Sequence, residues 1–219
     1  VNGRIPVVVG SGSNCTATQV EMSIRYQDMG ADALLLISPY YNKANPEGMY
    51  RHFAETADAV HIPCLLYNVP GRTGCVIPVS VVERLSKHPN IVGIKEASGD
   101  MGYAMKVARF VGPDFAMYSG NDDITLPILA AGGSGVISVY ANVMPKMCHE
   151  IVMDYLNGEQ AKALENTLKY LNLMNDLFIE VNPIPVKAAM NMMGLNAGPM
   201  RLPLCEMSPE HQATLRKTM

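Results

Sequence analysis

The sequence predicts an α/β protein: a parallel sheet of six strands alternating with helices over residues 1–144, then a helical region over 145–219. Three observations lead there. Short, continuous apolar runs recur along the first two thirds of the chain, as in Ala33-Leu34-Leu35-Leu36-Ile37 and Phe115-Ala116-Met117-Tyr118. Such runs mark strands covered on both faces, the habit of parallel sheets. Helical stretches opened by proline or closed by glycine separate them, and that βα alternation implies crossover connections. After about Pro145 the strand-like runs stop.

The first strand is Ile5-Pro6-Val7-Val8-Val9. The loop Gly10-Ser11-Gly12-Ser13-Asn14 leads from it into a helix from about Thr16 to Met29. Two glycines in a strand-to-helix turn can cradle an anion, but they more often serve backbone geometry, and that reading is preferred. Gly30 stands where a C′ glycine ends a helix. A second strand ends at Ser38, and Pro46 opens a helix to about Val60. The third strand starts at Cys64 and runs into the turn Tyr67-Asn68-Val69-Pro70-Gly71-Arg72-Thr73-Gly74. Pro78 opens the next helix, to about Lys87, and Ile91–Lys95 is the fourth strand. A helix from about Met101 to Val111 precedes the fifth strand, Phe115 to Gly120. Asn121-Asp122-Asp123 is expected to cap a helix ending at Ala131-Gly132-Gly133, and Gly135–Val139 is the sixth strand. Helices then follow over about 147–156, 159–179, 183–193 and 209–217, with many of the sixteen methionines as adaptable core filler.

A chain of 219 residues with 48% hydrophobic content can bury one sizeable core. A net charge of −3 without basic runs gives no footprint for nucleic acid or for a membrane surface. No apolar run reaches bilayer length and no signal-like segment opens the sequence. Five scattered cysteines without a CxxC pair suggest reduced thiols and a cytoplasmic protein. The five histidines have no metal-binding spacing, so no metal site is expected.

The chemistry gathers around Ile91-Val92-Gly93-Ile94-Lys95-Glu96-Ala97-Ser98. A lysine closing a strand is usually a solvated charge, and Tyr67 alone would be a satisfied core tyrosine. Tyr40, Tyr41, Tyr67, Arg72, Lys95, Gly120 and Asn121 nevertheless all fall at or beyond the carboxyl ends of strands, where α/β sheets bind ligands. An amine among apolar side chains has its ammonium form disfavoured, and the free amine attacks a ketone to form a Schiff base. Such chemistry needs a proton shuttle, which a phenol supplies, and an arginine can clamp a substrate carboxylate. Lys95, Tyr67 and Arg72 are these three parts.

Five motifs in order, Ser38-Pro39-Tyr40-Tyr41-Asn42, Tyr67 to Gly74, Gly93-Ile94-Lys95-Glu96-Ala97, Gly135-Val136-Ile137-Ser138 and Asn182-Pro183-Ile184-Pro185-Val186-Lys187, resemble the pyruvate-dependent class I aldolases. Within them, Arg72 after the Tyr-Asn-Val-Pro run is similar to the dihydrodipicolinate synthase family and unlike the sialic-acid lyases. The resemblance covers essentially the whole chain. It implies a (β/α)8 TIM barrel in which Lys95 forms a Schiff base with pyruvate and Tyr67 relays protons. Arg72 would bind aspartate semialdehyde, and Ile137 and Gly120 would line the pyruvate pocket. Tyr41 would complete a neighbour's proton relay in a homo-oligomer, a dimer or tetramer. No cofactor is implied beyond the covalent lysine, and the implied setting is lysine and diaminopimelate biosynthesis.

Six strands leave about two βα units of that barrel unaccounted for, so an N-terminally truncated barrel is expected. No Gly-Thr-Thr-Gly occurs among these residues, and that segment's part in the proton relay has no occupant. Unpaired edges at Ile5–Val9 and Val136–Val139 should promote self-association. Two alternatives stay open: a catalytically degenerate relative with a binding or assembly role, and a pyruvate-dependent aldolase acting on a sugar acid.

Overall fold

The computed structural model describes all 219 residues, Val1–Met219. By internal contacts the chain divides into two compact units. One comprises Val1–Gly120 with Ala130–Gly135, the other Asn121–Leu129 with Val136–Met219.

The sheet runs in strict sequence order: β1 (Val8–Gly10), β2 (Ala33–Ile37), β3 (Cys64–Asn68), β4 (Ile91–Glu96), β5 (Ala116–Ser119) and β6 (Gly135–Val136). Every pairing from β1 to β5 is parallel. The Ser134 N–H, donating to the Met117 carbonyl at 2.8 Å, draws the chain beside β5 just before β6. Helices α1 (Thr16–Asp28), α2 (Pro46–Asp58), a single turn α3 (Pro70–Thr73), α4 (Val79–Leu85) and α5 (Met101–Val107) connect the first five strands. The expected helix starts follow local chemistry. The Asn45 side chain accepts the Gly48 N–H at 2.8 Å with Pro46 in the first turn, and Gly30 takes φ 91° after α1.

The two faces of the sheet differ. Leu34, Leu36, Cys64, Leu66, Ile94 and Met117 are fully buried, and each of the leucine, isoleucine and methionine side chains stabilises the fold by about 1.5–3 kcal/mol. The alternate residues Leu35, Ile37, Tyr67, Lys95, Ala116 and Tyr118 are only half-buried. The apolar runs therefore have one closed face and one partly open face. Gly12 serves backbone geometry, as preferred above: a Cβ there would sit 2.4 Å from Ile37 Cγ2.

One inter-helix layer is polar. The inward residues of α1 are Gln19 and Ser23, where an apolar stripe would be usual. The Gln19 amide donates to Thr56 Oγ1 at 2.9 Å, Ser11 and Ser23 share a hydrogen bond of 2.9 Å, and Thr16 Oγ1 meets His52 Nδ1 at 2.9 Å. His52 Nε2 is buried without a partner. Burial brings the His52 imidazolium down to about 4, since desolvation opposes its charge.

In the second unit, α6 (Thr125–Ala130), α7 (Pro145–Leu156), α8 (Gln160–Asp176), α9 (Ile184–Met192) and α10 (Pro209–Thr218) supply the helices, α6 up to Leu129. Their core gathers Tyr140, Ile151, Leu173, Leu177, Ala189 and Leu215. No helix in the chain is long and apolar enough to cross a membrane.

Two expectations about this unit are corrected. Asp122 does not cap α6, which begins at Thr125. Its buried carboxylate instead accepts the N–H groups of Val139 (3.1 Å) and Tyr140 (2.9 Å) and the Ser138 hydroxyl. That demand bends the chain into a 3-10 turn at Tyr140–Asn142, so the sixth strand stops at Val136 rather than Val139. Val136 and Val139 pack against the helical core, and the edge expected there is not an open strand. At the other end of the sheet the first strand is shorter than expected: β1 covers only Val8–Gly10, Ile5 lies in a bend before it, and Val8 is 49% exposed.

Candidate active site

Parallel pairing sets the geometry. Tyr67 on β3 is the register partner of Lys95 on β4, and Lys95 is in turn the partner of Tyr118 on β5. Residues paired in register share a face, so two phenols flank the lysine near the carboxyl end of the sheet. Lys95 Nζ lies 4.3 Å from the centre of the Tyr67 ring, within cation–π range. The ladder continues past both strands: the Ala97 N–H donates to the Asn68 carbonyl at 2.9 Å, and the Gly120 N–H to the Glu96 carbonyl at 2.6 Å. Lys95 is thus held by backbone bonded on both sides.

Gly120 sits against the lysine stem. A Cβ there would fall 3.0 Å from Lys95 Cε and 2.4 Å from the Ala97 Cβ. Only glycine leaves Lys95 its present path.

Arg72 lies on the single turn α3, exposed, two residues after Pro70. Val69 enters that turn and Gly74, at φ 73°, leaves it in the left-handed region that glycine tolerates. Burial raises the Tyr67 phenol above its ordinary range, and the Arg72 charge opposes that rise. Tyr67 is therefore a neutral phenol at pH 7, and the Arg72 charge favours its ionised form. Below the turn, the Thr73 hydroxyl donates to the Cys75 carbonyl at 2.9 Å and receives a hydrogen bond from Ser38 at 3.3 Å.

Tyr41 is placed differently. It is 89% exposed on the loop between β2 and α2, with φ 70°. A bulky residue rarely adopts that region, which costs of order 1–3 kcal/mol. Ile137 belongs to the second unit and follows β6 directly, half-buried. The structure thus brings Lys95, Tyr67 and Gly120 into one cluster, with Arg72 in electrostatic reach of Tyr67.

Two features are not evident from sequence reasoning. Tyr118 reads there only as part of an apolar strand, although its strand alternation with Gly120 is an available signal. The second is a buried polar pair, Asn68 and Glu96, joined at 2.7 Å behind the site. A cavity of about 460 Å³ around Asn191, Asn196, Pro199 and Glu206 at the end of α9 contains none of these residues and no nucleophile.

Comparisons with known proteins agree with this geometry. A curated 4-hydroxy-tetrahydrodipicolinate synthase of Clostridium perfringens (strain SM101) is 48% identical over 219 residues, covering all of this chain and 75% of its own length. That of Thermoanaerobacter sp. (strain X514) is 52% identical over 221 residues, covering all of this chain and 74% of its own. The crystal structure of dihydrodipicolinate synthase from Thermotoga maritima superposes with a TM-score of 0.97 at 40% identity, over the whole of this chain and 75% of that one. The chain spans about three quarters of its relatives' length, and its six strands are consecutive units of the same barrel-type fold. The family-wide match runs from residue 1 to residue 219, through every motif that surrounds Lys95, and the chain belongs to the dihydrodipicolinate synthetase family.

Proposed function

We propose that the chain carries the Schiff-base lyase chemistry of a 4-hydroxy-tetrahydrodipicolinate synthase, joining pyruvate to aspartate semialdehyde in lysine and diaminopimelate biosynthesis. The observation that carries the proposal is the Lys95–Tyr67 pair, an amine 4.3 Å from a phenol ring on adjacent strand ends. The Lys95 amine adds to the pyruvate ketone, a C–N bond forms, and the carbonyl oxygen leaves as water. Loss of a methyl proton from the imine gives an enamine, whose carbon attacks the aldehyde of the second substrate. Tyr67 carries protons in these steps, as a phenol within reach of the imine can. No separate cofactor enters, because the protonated imine is itself the electron sink.

The remaining assignments follow from position. Arg72, exposed at the rim beyond β3, binds the carboxylate of aspartate semialdehyde. Gly120 keeps the space beside Lys95 open. Tyr41 reaches into a second copy of the chain; its exposure and left-handed backbone fit a residue whose partner is another protomer. A homo-oligomer is the state proposed. Five free cysteines fit a cytoplasmic setting.

The test is a turnover assay with pyruvate and aspartate semialdehyde, run on the wild-type chain and on Arg72→Ala. The synthase reading requires that Arg72→Ala lose at least tenfold in kcat/KM for the semialdehyde while its pyruvate imine still forms. An unaffected Arg72→Ala chain that cleaves a sugar acid would move the activity to the other aldolase class.

A further inference from the structure

We propose that Asn68 and Glu96 form a directional polar clamp that positions the reacting side chains, an inference that rests on the reading of Lys95 as the imine-forming residue. Asn68 follows Tyr67 and Glu96 follows Lys95, so both point to the opposite, helix-covered face of the sheet. Asn68 is 0% exposed and Glu96 1%. One step down the same strands the paired positions are Leu66 and Ile94, an ordinary apolar contact. Directly behind the site, therefore, the sheet exchanges an apolar pair for a buried carboxylate and amide, a costly choice unless every polar atom is satisfied.

They are satisfied, in one polarity only. The Asn68 amide donates to Glu96 Oε2 at 2.7 Å. Glu96 Oε1 accepts the Ser98 N–H at 2.7 Å and the Ser98 hydroxyl. Asn68 Oδ1 accepts the Ile77 N–H at 3.0 Å, and the Ile77 carbonyl accepts the Tyr103 hydroxyl at 2.7 Å. A backbone N–H can only donate, so Ile77 fixes the orientation of the Asn68 amide. The amide then requires an acceptor at position 96, and the Ser98 N–H requires another. Three segments are tied together: the end of β3 with Tyr67, the end of β4 with Lys95, and the return of the turn that carries Arg72. Asn68 and Glu96 touch no reacting atom; they act through the groups they hold.

The polarity makes a sharp test. In Glu96→Gln the new amide N–H faces either the Asn68 amide donor or the Ser98 N–H. In Asn68→Asp two carboxylates meet and must share a proton. The double variant Asn68→Asp/Glu96→Gln reverses the pair and restores every bond. The new carboxylate at position 68 would accept from Ile77 and from the amide at position 96, whose oxygen accepts from Ser98.

The readout is the rate of borohydride trapping of the pyruvate imine, against pyruvate concentration and pH, with thermal melts to establish folding. We expect Glu96→Gln to slow trapping about 100-fold, the scale of a 1 Å misplacement. Asn68→Asp should be slowed similarly and worsen as rising pH removes the shared proton. The double variant should return to within about threefold of wild type, without that pH dependence; this is the pre-organisation argument applied to a pair. A folded single variant trapping at the wild-type rate, or a folded double variant as slow as the worse single one, would overturn the clamp. Should the single variants fail to fold, Ser98→Ala removes one donor and should slow trapping several-fold; an unchanged rate there overturns it equally. A wild-type chain that forms no adduct overturns the reading of Lys95 itself, which is a separate result.

Discussion

Replacing Gly120 by alanine tests how closely the strand ends are packed around Lys95. The added Cβ would lie 2.4 Å from the Ala97 Cβ, 3.0 Å from Lys95 Cε and 3.1 Å from the Ala97 Cα. The lysine stem can swing aside, but Ala97 is fixed by its backbone. Ordinary contact begins at 3.4 Å, so the ends of β4 and β5 must part by about 1 Å. The Gly120 N–H to Glu96 carbonyl bond, now 2.6 Å, would stretch past hydrogen-bonding range. Overpacking costs about 1–3 kcal/mol and the lost hydrogen bond about 1 kcal/mol. At this chain length the sum lowers Tm by of order 10 °C. Differential scanning fluorimetry measures that fall, and pyruvate trapping should slow at least tenfold because Lys95 is displaced. Ala97→Gly in the same chain removes the shortest contact and should recover part of both. A Gly120→Ala chain with Tm within about 1 °C of wild type and unchanged trapping would refute this account of the packing.

Further expectations follow from the buried polar groups. His52 is neutral in the folded chain down to about 4, against an ordinary value near 6.5. As pH falls from 6.5 towards 4 the unfolded chain gains a proton that the folded one refuses. This group's contribution, fully present above 6.5, should therefore decline by up to about 3 kcal/mol across that window. Urea midpoints at pH 7 and 4.5 should separate more for wild type than for His52→Asn; equal separation would refute it. Asp122→Ala strips acceptors from the Val139 and Tyr140 N–H groups, and should cost about 2–4 kcal/mol by urea denaturation. Asp122→Asn keeps one acceptor oxygen and should cost less, so equal losses would contradict the role given to the carboxylate. Tyr67→Phe leaves the ring beside Lys95 but removes the phenol, and should lower turnover by about 10²–10³-fold with little change in Tm.

Much of the fold was legible because apolar runs of strand length and helix punctuation coincide. Cys64 to Tyr67 and Ile91 to Lys95 pair as their pattern suggests, and the Tyr67–Lys95 register follows from strand ends at equal heights. The Asp122 contacts were not legible, since a cap at the start of α6 and a clamp on residues 138–140 use the same side chain. Period-two patterning shows which residues share a face but not how far each face is covered, which is why Tyr118 read as core. Asn68 and Glu96 were in view as motif letters, yet their partnership needs the pairing register, a property of two strands. The polar inner side of α1 is invisible for a related reason: Gln19 and Ser23 look like surface residues until Thr56 and Ser11 are placed against them.

The central claim is that Lys95 is the nucleophile, and intact-mass analysis tests it most directly. The wild-type chain and Lys95→Ala would each be incubated with pyruvate, reduced with borohydride, weighed and mapped by peptide. The account requires one reduced pyruvate adduct on the wild-type chain, carried by the peptide containing Lys95, and none on the variant. A folded wild-type chain with no adduct, or an adduct that persists in Lys95→Ala, would contradict it.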